Sequence, residues 1–198
     1  IGEITTNQDA DFSFEIPQAT LTENGLGNGI TFSGDVPYWL ELDENTGELT
    51  GAPTYDSIGD HSITITATDD EGDTAKFDLS IQVDNINDAP TVTPIEDLTV
   101  GIDESLDLDP SNNFSDQDIP YGDSLNYDIT LSDGTSIPDW MNYDPTTGRL
   151  TGEPADGSLP QYDLRITATD TIGDTAITFV KINLEQAEDE KPTLPAQP

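Results

Sequence analysis

An internal repeat limits the folds that are open to this chain. The segment PYWLELDENTGELTGAP begins at Pro37 and PDWMNYDPTTGRLTGEP begins at Pro138, an offset of 138 − 37 = 101 residues. The offset holds without a gap through residues 83 and 184, and 20 of these 47 paired positions are identical. Similarity of this extent is typical of two homologous structural units in tandem. The 198 residues therefore divide into two units of an ordinary domain size.

Each unit has the residue pattern of β-strands. In the segment SITITATD, Ile63, Ile65 and Ala67 alternate with polar side chains, and KFDLSIQV alternates in the same way from Phe77 to Val83. A period of two predicts strands with one buried face. Gly, Pro, Asp and Asn separate the short strands, and no helical period of useful length is present. The pattern predicts an all-β fold of two tandem β-sandwiches, each of roughly seven strands.

Two further features recur in both units. The segments ENTGEL and PTTGRL predict tight hairpin turns in which the glycine supplies a positive φ angle. Trp39 and Trp140 stand at matching positions, each close to a proline. We expect both tryptophans to lie in the cores, and stacking on a sugar is the alternative.

The charge balance excludes several classes of partner. The chain has 41 acidic and five basic residues, a formal charge of −36, so it has no basic surface for nucleic acid or for an anionic membrane. No stretch is apolar enough to predict membrane insertion, and no signal peptide begins the sequence, so we expect an internal piece of a longer chain. The absence of cysteine excludes disulfides and thiolate metal sites. Cations are the natural partners of such a chain.

Acidic and amide side chains are dense in two segments. The segment VDNINDAPT joins the two units, and FSDQD follows at residues 114–118. Calcium takes six to eight oxygen ligands from carboxylates, amides, backbone carbonyls and water. Carboxylates brought within about 5 Å of one another repel unless a cation is present. The alternative is that Asp and Asn occur in the linker because they suit turns.

The shared motifs resemble a known family. Both units contain P-x-W, then D-x-x-T-G-x-L-T-G-x-P, then I-T-A-T-D-x-x-G-D. This pattern resembles the dystroglycan-type cadherin-like domains of bacterial surface proteins, and NDAPT resembles the linker between such domains. The resemblance covers nearly the whole chain, twice. It implies two Ig-like or cadherin-like β-sandwich domains at 1–88 and 89–188, followed by an acidic, proline-rich linker at 189–198.

The resemblance also implies a calcium site at the joint between the domains. The ligands come from the linker, from a D-x-D pair in the next domain and from the aspartate of its A-x-D strand. The linker here reads DNIND, which departs from the Asp-x-Asn-Asp of cadherins. Unit 1 has no D-x-D pair, because Leu21 and Glu23 stand at the equivalent positions. Carried onto this sequence, the implied ligands are Asp84, Asn87, Asp88, Asp116, Asp118 and Asp170.

These observations favour a structural role. The leading hypothesis is a calcium-binding, calcium-rigidified extender or adhesion module of a large bacterial cell-surface or secreted protein. Its partners are neighbouring repeats of the same chain, with a glycan or protein ligand at the cell surface as a further candidate. The alternative is a carbohydrate-binding module attached to a polysaccharide-active enzyme. We do not expect an enzyme, because no G-x-S-x-G, H-E-x-x-H or P-loop motif is present.

One difference between the repeats concerns the last strand. Lys76 and Asp78 of unit 1 correspond to Ile177 and Phe179 of unit 2. The strand register places these positions on the outer face, so unit 2 is expected to carry two large apolar residues there. A covering loop and a lateral contact are both open as explanations.

Overall fold

The computed structural model describes residues 2–102, 104–155 and 157–185, without the side chain of Glu23. It divides into two compact units, unit 1 (Ile1–Ile86) and unit 2 (Asn87–Pro198). The linker expected at 189–198 lies outside the described residues. The domain boundaries drawn from the sequence stay predictions.

Unit 1 contains two sheets and one short helix. A four-stranded sheet has the order β1-β7-β6-β3, in which β1 runs parallel to β7 and the other pairs are antiparallel. A three-stranded antiparallel sheet has the order β2-β5-β4. The elements are β1 (Glu3–Asn7), β2 (Phe12–Glu15), α1 (Gln18–Glu23), β3 (Thr31–Gly34), β4 (Leu40–Leu42), β5 (Glu48–Gly51), β6 (Gly59–Thr68) and β7 (Thr74–Asp84), with a 3-10 turn at Tyr55–Ser57.

Unit 2 repeats this arrangement with two differences. Its four-stranded sheet has the order β12-β15-β16-β9, and its three-stranded sheet has the order β10-β14-β13. A two-stranded pair of β11 and β8 is added, and two 3-10 turns, Pro110–Asn112 and Ile119–Tyr121, stand in place of the α-helix α1 among the described residues. The strands are β8 (Thr91–Val92), β9 (Leu98–Gly101), β10 (Leu106–Leu108), β11 (Phe114–Ser115), β12 (Asn126–Leu131), β13 (Met141–Tyr143), β14 (Leu150–Gly152), β15 (Gln161–Thr169) and β16 (Thr175–Glu185).

The buried faces are those that the alternation predicts. Ile63, Ile65 and Ala67 of β6 lie in the core of unit 1, together with the inward residues of β7 from Phe77 to Val83. Unit 2 has its own separate core cluster between its sheets. The predicted fold class, all-β with two tandem sandwiches, is confirmed. None of the described helices is both long and apolar enough to cross a membrane.

The hairpin turn between β4 and β5 shows why glycine recurs there. Gly47 has a φ angle of 75°, and Gly148 has 71° at the matching turn of unit 2. A Cβ atom on Gly47 would lie 2.8 Å from the Phe32 ring. Asp43 accepts hydrogen bonds from the backbone N–H groups that follow it, which closes the turn. The turns predicted from ENTGEL and PTTGRL are confirmed.

The two tryptophans differ in their burial. Trp39 is only 6% exposed and meets the rings of Phe12 and His61 edge-on. Trp140 is half-buried and packs against the core of unit 2 from its margin, edge-on to Tyr162. The prediction of a core tryptophan is confirmed for unit 1 and only in part for unit 2.

Candidate metal centre

Three segments converge at one end of unit 2. Antiparallel pairing of β12 with β15 sets Asn126 opposite Thr169. The residues before β12 therefore lie beside the residues that follow β15. The first residues of unit 2, from Asn87, complete the group through hydrogen bonds to both segments.

Asp170 anchors the loop between β15 and β16. Its Oδ1 atom accepts hydrogen bonds from the backbone N–H groups of Ile172, Gly173 and Asp174, at 2.7–3.0 Å. The Asn87 side-chain amide donates to Oδ2 at 3.0 Å. Burial opposes ionisation of Asp170, but these donors outweigh it and hold its pKa below the ordinary value. Asp170 is therefore a buried carboxylate that stays charged.

The D-x-D pair lies in the loop between β11 and β12. Asp116 is 9% exposed and Asp118 is 1% exposed, so both carboxylates are buried. The backbone N–H of Asp118 donates to Asp116 Oδ1 at 2.8 Å, which curls the loop around the first carboxylate. The buried ring of Phe114, edge-on to Tyr127, holds the start of this loop against the core.

Asp123 completes a cluster of three carboxylates. One oxygen each of Asp116, Asp123 and Asp170 lies within 4.8 Å of the others. Asp123 Oδ1 accepts hydrogen bonds from the N–H and the hydroxyl of Thr171, so it fastens the segment before β12 to the loop after β15. These hydrogen bonds hold the pKa of Asp123 below its ordinary value. No other group of this kind is found among the described residues.

Several oxygens in this centre lack a donor. Asp116 Oδ2, Asp118 Oδ1 and Asp123 Oδ2 are buried and have no hydrogen-bond partner among the described residues. Burial raises the pKa of Asp116 above its ordinary value, and the negative charges of Asp123, Asp118 and Asp170 add to the effect. Unpaired buried carboxylate oxygens are costly, so the arrangement is typical of a site that a cation completes.

The linker residues of unit 2 contact this centre. The backbone N–H of Asp88 donates to Asp118 Oδ2 at 2.5 Å, and Gln117 Nε2 donates to Asp88 Oδ2 at 2.6 Å. Asn87 uses its amide nitrogen on Asp170, which leaves its amide oxygen as the atom that can bind a cation.

The structure brings together most of the residues that the sequence singled out. Asp116 and Asp170 lie in the cluster, and Asn87, Asp88 and Asp118 surround it. Asp84 ends β7 and belongs to unit 1, so its role as a ligand stays a prediction. Asp123 was missed. The signal that could have found it is its place just before a strand that pairs with the ITATD strand.

Unit 1 has a different arrangement at the matching position. Asp69 corresponds to Asp170, and its Oδ1 accepts the N–H groups of Glu71 and Asp73. Its Oδ2 accepts the backbone N–H of Gly27 at 2.9 Å. Leu21, which stands in place of Asp116, is 3% exposed in the core. All the carboxylate oxygens of Asp69 therefore have donors.

The comparisons with known proteins identify the family of both units. The family model named He_PIG and described as "Putative Ig domain" matches residues 1–84 and 89–184. The chain belongs to the He_PIG family. It consists of two tandem domains of that family, one in each unit. No curated protein sequence matches this He_PIG chain significantly.

Solved structures show the same fold at low sequence identity. Domains EC1-2 of human mucin-like protocadherin match at 14% identity and a TM-score of 0.67, over 93% of this chain and 96% of that one. Domains EC21-23 of human CDH23 match at 13% and 0.65, over 93% of this chain and 67% of that one. Mouse cadherin-23 EC22-24 matches at 18% and 0.58, over 80% and 53%. The He_PIG chain thus has a tandem Ig-like, cadherin-like fold.

The chain spans only part of some of its structural relatives. It covers about half of the mouse cadherin-23 fragment and 28% of an endo-fucoidan hydrolase from glycoside hydrolase family 107, which matches at a TM-score of 0.41 and 20% identity.

Proposed function

We propose that the chain is a calcium-binding module of the adhesion type, exposed outside the cell. The observation that carries the proposal is the cluster of Asp116, Asp123 and Asp170, whose oxygens lie within 4.8 Å of one another. Three buried carboxylate oxygens in and beside this cluster have no hydrogen-bond donor among the described residues. A bound cation supplies the missing positive charge and the missing contacts.

Calcium is the metal that these donors suit best. The candidate ligand atoms around the cluster are oxygens of carboxylates, amides and the backbone. Calcium takes six to eight such ligands in flexible geometry. Zinc prefers histidine and cysteine, and the chain has no cysteine and one histidine, His61, which lies in unit 1. Magnesium requires a tighter octahedral shell and keeps several of its waters. Proteins therefore usually bind it through one or two carboxylates together with substrate phosphates, and not through a cluster of protein oxygens.

The hydrogen bonds of the linker residues are the basis for a mechanical role of the ion. Asn87 and Asp88 stand at the start of unit 2 and hydrogen-bond to Asp170 and Asp118. We therefore assign calcium the role of fixing the linker against the loops of unit 2, with Asp84 as a ligand from the preceding strand. Without the ion, the acidic groups repel one another and the linker regains freedom.

The biological setting follows from the motifs and the charge. Their resemblance to dystroglycan-type domains supports a bacterial surface or secreted protein in which such repeats act as an extender or adhesion module. The nearest partners are neighbouring repeats of the same chain, and we assign the module no catalytic activity.

The carbohydrate-binding alternative calls for a row of exposed aromatic residues. The exposed aromatic residues among those described, Tyr38, Tyr121 and Phe179, lie on separate elements, which favours the structural role.

Calorimetric titration with calcium tests the proposal. The wild-type protein is expected to bind with a dissociation constant of roughly 10⁻⁴–10⁻³ M, the range of extracellular modules. Asp116→Asn should weaken binding by at least about tenfold, because it removes the charge of one carboxylate that would bind the ion directly. The matched control is Asp139→Asn, which removes an exposed carboxylate of the same unit and should leave binding unchanged.

Small-angle scattering with calcium and with chelator tests the mechanical role. We expect a narrow range of maximum dimensions in calcium and a broader one in chelator. Binding that is lost equally in the Asp139→Asn control would refute the assigned site. Identical scattering in the two conditions would refute the stiffening role while leaving the site intact.

A further inference from the structure

Two Asn-Gly dipeptides lie close together in unit 1. They are Asn24–Gly25, directly after α1, and Asn28–Gly29, shortly before β3. An asparagine before glycine is especially prone to lose its side-chain amide, because glycine has no side chain to shield its backbone nitrogen. All four residues are exposed, so water can reach both dipeptides. The sequence alone therefore does not distinguish the two asparagines.

Hydrogen bonds hold both reacting groups at Asn24. Its side-chain nitrogen Nδ2 donates to the carbonyl of Thr20 at 2.7 Å. The backbone N–H of Gly25 donates to the carbonyl of Thr22 at 3.0 Å. Deamidation requires the Gly25 nitrogen to reach the Cγ atom of Asn24, and both hydrogen bonds oppose that movement. The fold therefore protects Asn24.

The corresponding groups are free at Asn28. Neither the Asn28 side chain nor the Gly29 N–H has a hydrogen-bond partner among the described residues. The Asn28 carbonyl accepts the N–H of Asp70 at 3.1 Å, so the backbone is held while the reacting groups are not. Asn28 and Gly29 also line an open cavity of about 370 Å³, which has room for water.

We propose that Asn28 is a site of spontaneous deamidation, and that the fold directs the reaction to Asn28 and away from Asn24. The Gly29 nitrogen attacks Cγ of Asn28, so that a new N–Cγ bond forms while the Cγ–Nδ2 bond breaks. The proton of the Gly29 N–H leaves with the amide nitrogen, which departs as ammonia. The product is a five-membered succinimide ring, and no oxidant, reductant or cofactor is consumed.

Water then opens the succinimide ring. Addition at the Cγ carbonyl breaks the new bond, returns a proton to the Gly29 nitrogen and leaves an aspartate at position 28. Addition at the main-chain carbonyl breaks the original peptide bond and leaves an isoaspartate, in which the chain continues through Cβ and Cγ. Either product carries one more negative charge than asparagine does.

The new charge arises at the closed end of unit 1, between two existing carboxylates. On one side of Asn28, Gly27 donates its backbone N–H to Asp69 Oδ2 at 2.9 Å. On the other side, a Cβ atom on Gly29 would lie 3.1 Å from Cβ of Asp70. In a chain with a formal charge of −36, a further carboxylate beside these two is repelled by both.

The repeat shows what this position lacks. Asn28 precedes β3 by three residues, as Asp123 precedes β12, and β3 pairs with β6 as β12 pairs with β15. In unit 2, Thr171 supplies an N–H and a hydroxyl to the Asp123 carboxylate. The residue of unit 1 that corresponds to Thr171 is Asp70. Deamidation therefore sets a carboxylate against another carboxylate instead of against two donors.

Mass spectrometry locates the reaction. The proposal goes beyond calcium binding and does not rest on it, so the folded chain is incubated in chelator, in a mildly alkaline buffer. Tandem mass spectrometry at successive times measures amide-to-acid conversion at each asparagine. We expect Asn28 to convert at least about tenfold faster than Asn24, because two hydrogen bonds must break first at Asn24. Conversion should also quicken as the pH rises, since the attacking nitrogen must lose its proton.

Two controls separate the effect of the fold from that of the dipeptide. In urea, where the hydrogen bonds of α1 are lost, Asn24 and Asn28 should convert at similar rates. In folded Asn28→Gln, conversion at position 28 should stop, because glutamine would have to close a six-membered ring, while Asn24 should be unaffected. Equal rates at Asn24 and Asn28 in the folded chain would overturn the proposal. So would an Asn28 that converts in urea but not in the folded chain.

The variant Asn28→Asp measures the effect of the added charge. It is made in Trp140→Phe, in which the remaining Trp39 reports on unit 1. At low salt it should lower the melting temperature of unit 1 by about 1–4 °C, the effect of one like-charge pair. The loss should shrink at high salt, because exposed charges are screened.

A second substitution tests whether Asp70 is the source of the repulsion. Adding Asp70→Asn to Asn28→Asp should restore most of the melting temperature of unit 1. The matched control is Asn142→Asp, which adds the same charge at an exposed position of unit 2 and should leave unit 1 unchanged. A loss that persists with Asp70→Asn, or one that Asn142→Asp reproduces, would overturn the assigned effect of the modification.

Discussion

Asp69 of unit 1 and Asp170 of unit 2 stand at the same position of the repeat, but their second oxygens have different surroundings. In both residues Oδ1 accepts backbone N–H groups from the loop that follows the strand. The Oδ2 atom of Asp69 accepts the backbone N–H of Gly27. The Oδ2 atom of Asp170 accepts the side-chain amide of Asn87, and one oxygen of Asp170 lies within 4.8 Å of an oxygen of each of two more carboxylates.

The comparison shows two ways to stabilise a buried carboxylate. In unit 1 the hydrogen bond from Gly27, followed by those of the loop, holds the pKa of Asp69 below its ordinary value. The backbone of Gly27 can approach Asp69 because glycine has no side chain. A Cβ atom at this position would lie only 3.3 Å from Asp69 Oδ2. In unit 2 no such N–H is supplied to Asp116 Oδ2, and a cation takes over that role in our proposal. In this proposal the same fold supports a closed end in unit 1 and a metal-binding end in unit 2.

The largest contrast between the units is expected in their cores. Trp39→Ala should lower the free energy of unfolding of unit 1 by about 3–5 kcal/mol, because the ring is buried. Trp140→Ala should cost unit 2 only about 1–3 kcal/mol, because its ring is half-buried. Denaturant unfolding followed by circular dichroism measures both losses. Equal losses would show that Trp140 is as well packed as Trp39.

A smaller contrast is expected at the two aspartate loops. Asp116→Asn should reduce calcium affinity by at least about tenfold, and in chelator it should make unit 2 more stable than the wild type. The reason is that the change removes a buried charge that burial and three neighbouring carboxylates destabilise. Thermal melting in calcium and in chelator measures both effects, which have opposite signs.

Asp69→Asn is the matched variant in unit 1. Asp69 is held by backbone donors, so its loss should destabilise unit 1 equally in calcium and in chelator. A calcium-dependent effect of Asp69→Asn would remove the distinction between the two loops. A loss of stability in chelator for Asp116→Asn would identify Asp116 as a structural residue.

Much of the fold could be predicted from the sequence because the repeat and the strand alternation are long-range regularities. The inward faces of β6 and β7 and the turn at Gly47 follow from residues that recur at fixed spacing. The candidate metal centre could be predicted in part, because Asp116, Asp118 and Asp170 lie in short motifs. The resemblance to cadherin-like domains then pointed to the linker residues as their partners.

The features that the sequence did not predict depend on tertiary contacts, which leave no local pattern in the sequence. Asp123 joins the cluster only because β12 pairs with β15, and its own segment has no motif. The helix α1 is six residues long and too short to show a helical period, and it forms where Leu21 fills the core. Trp140 matches Trp39 in sequence, yet its environment differs because Leu106 stands in unit 2 at the sheet position of Phe12.

The smallest expected effect is a dependence on pH in chelator. The pKa of Asp116 is raised in the folded state, so its ionised form costs stability at neutral pH. This cost disappears as the pH falls through the raised pKa toward the ordinary value of 3.8. The stability difference between Asp116→Asn and the wild type should therefore narrow as the pH falls from 7. Asp69, with a lowered pKa, contributes stability above 3.8 that is lost only below it.

Melting curves of the Asp116→Asn and Asp69→Asn variants between pH 7 and pH 4 measure this dependence. A gap between wild type and Asp116→Asn that stays constant over this range would mean that Asp116 does not carry the buried charge assigned to it.

The most direct test uses the single tryptophan of each unit as its reporter. In Trp39→Phe the remaining Trp140 reports on unit 2, and in Trp140→Phe the remaining Trp39 reports on unit 1. Thermal unfolding is followed by fluorescence in chelator and in calcium at about 100 times the dissociation constant. One ion that binds only the folded state then adds roughly 2.7 kcal/mol. We predict that calcium raises the melting temperature of unit 2 more than that of unit 1. No shift in unit 2, or a larger shift in unit 1, would contradict it.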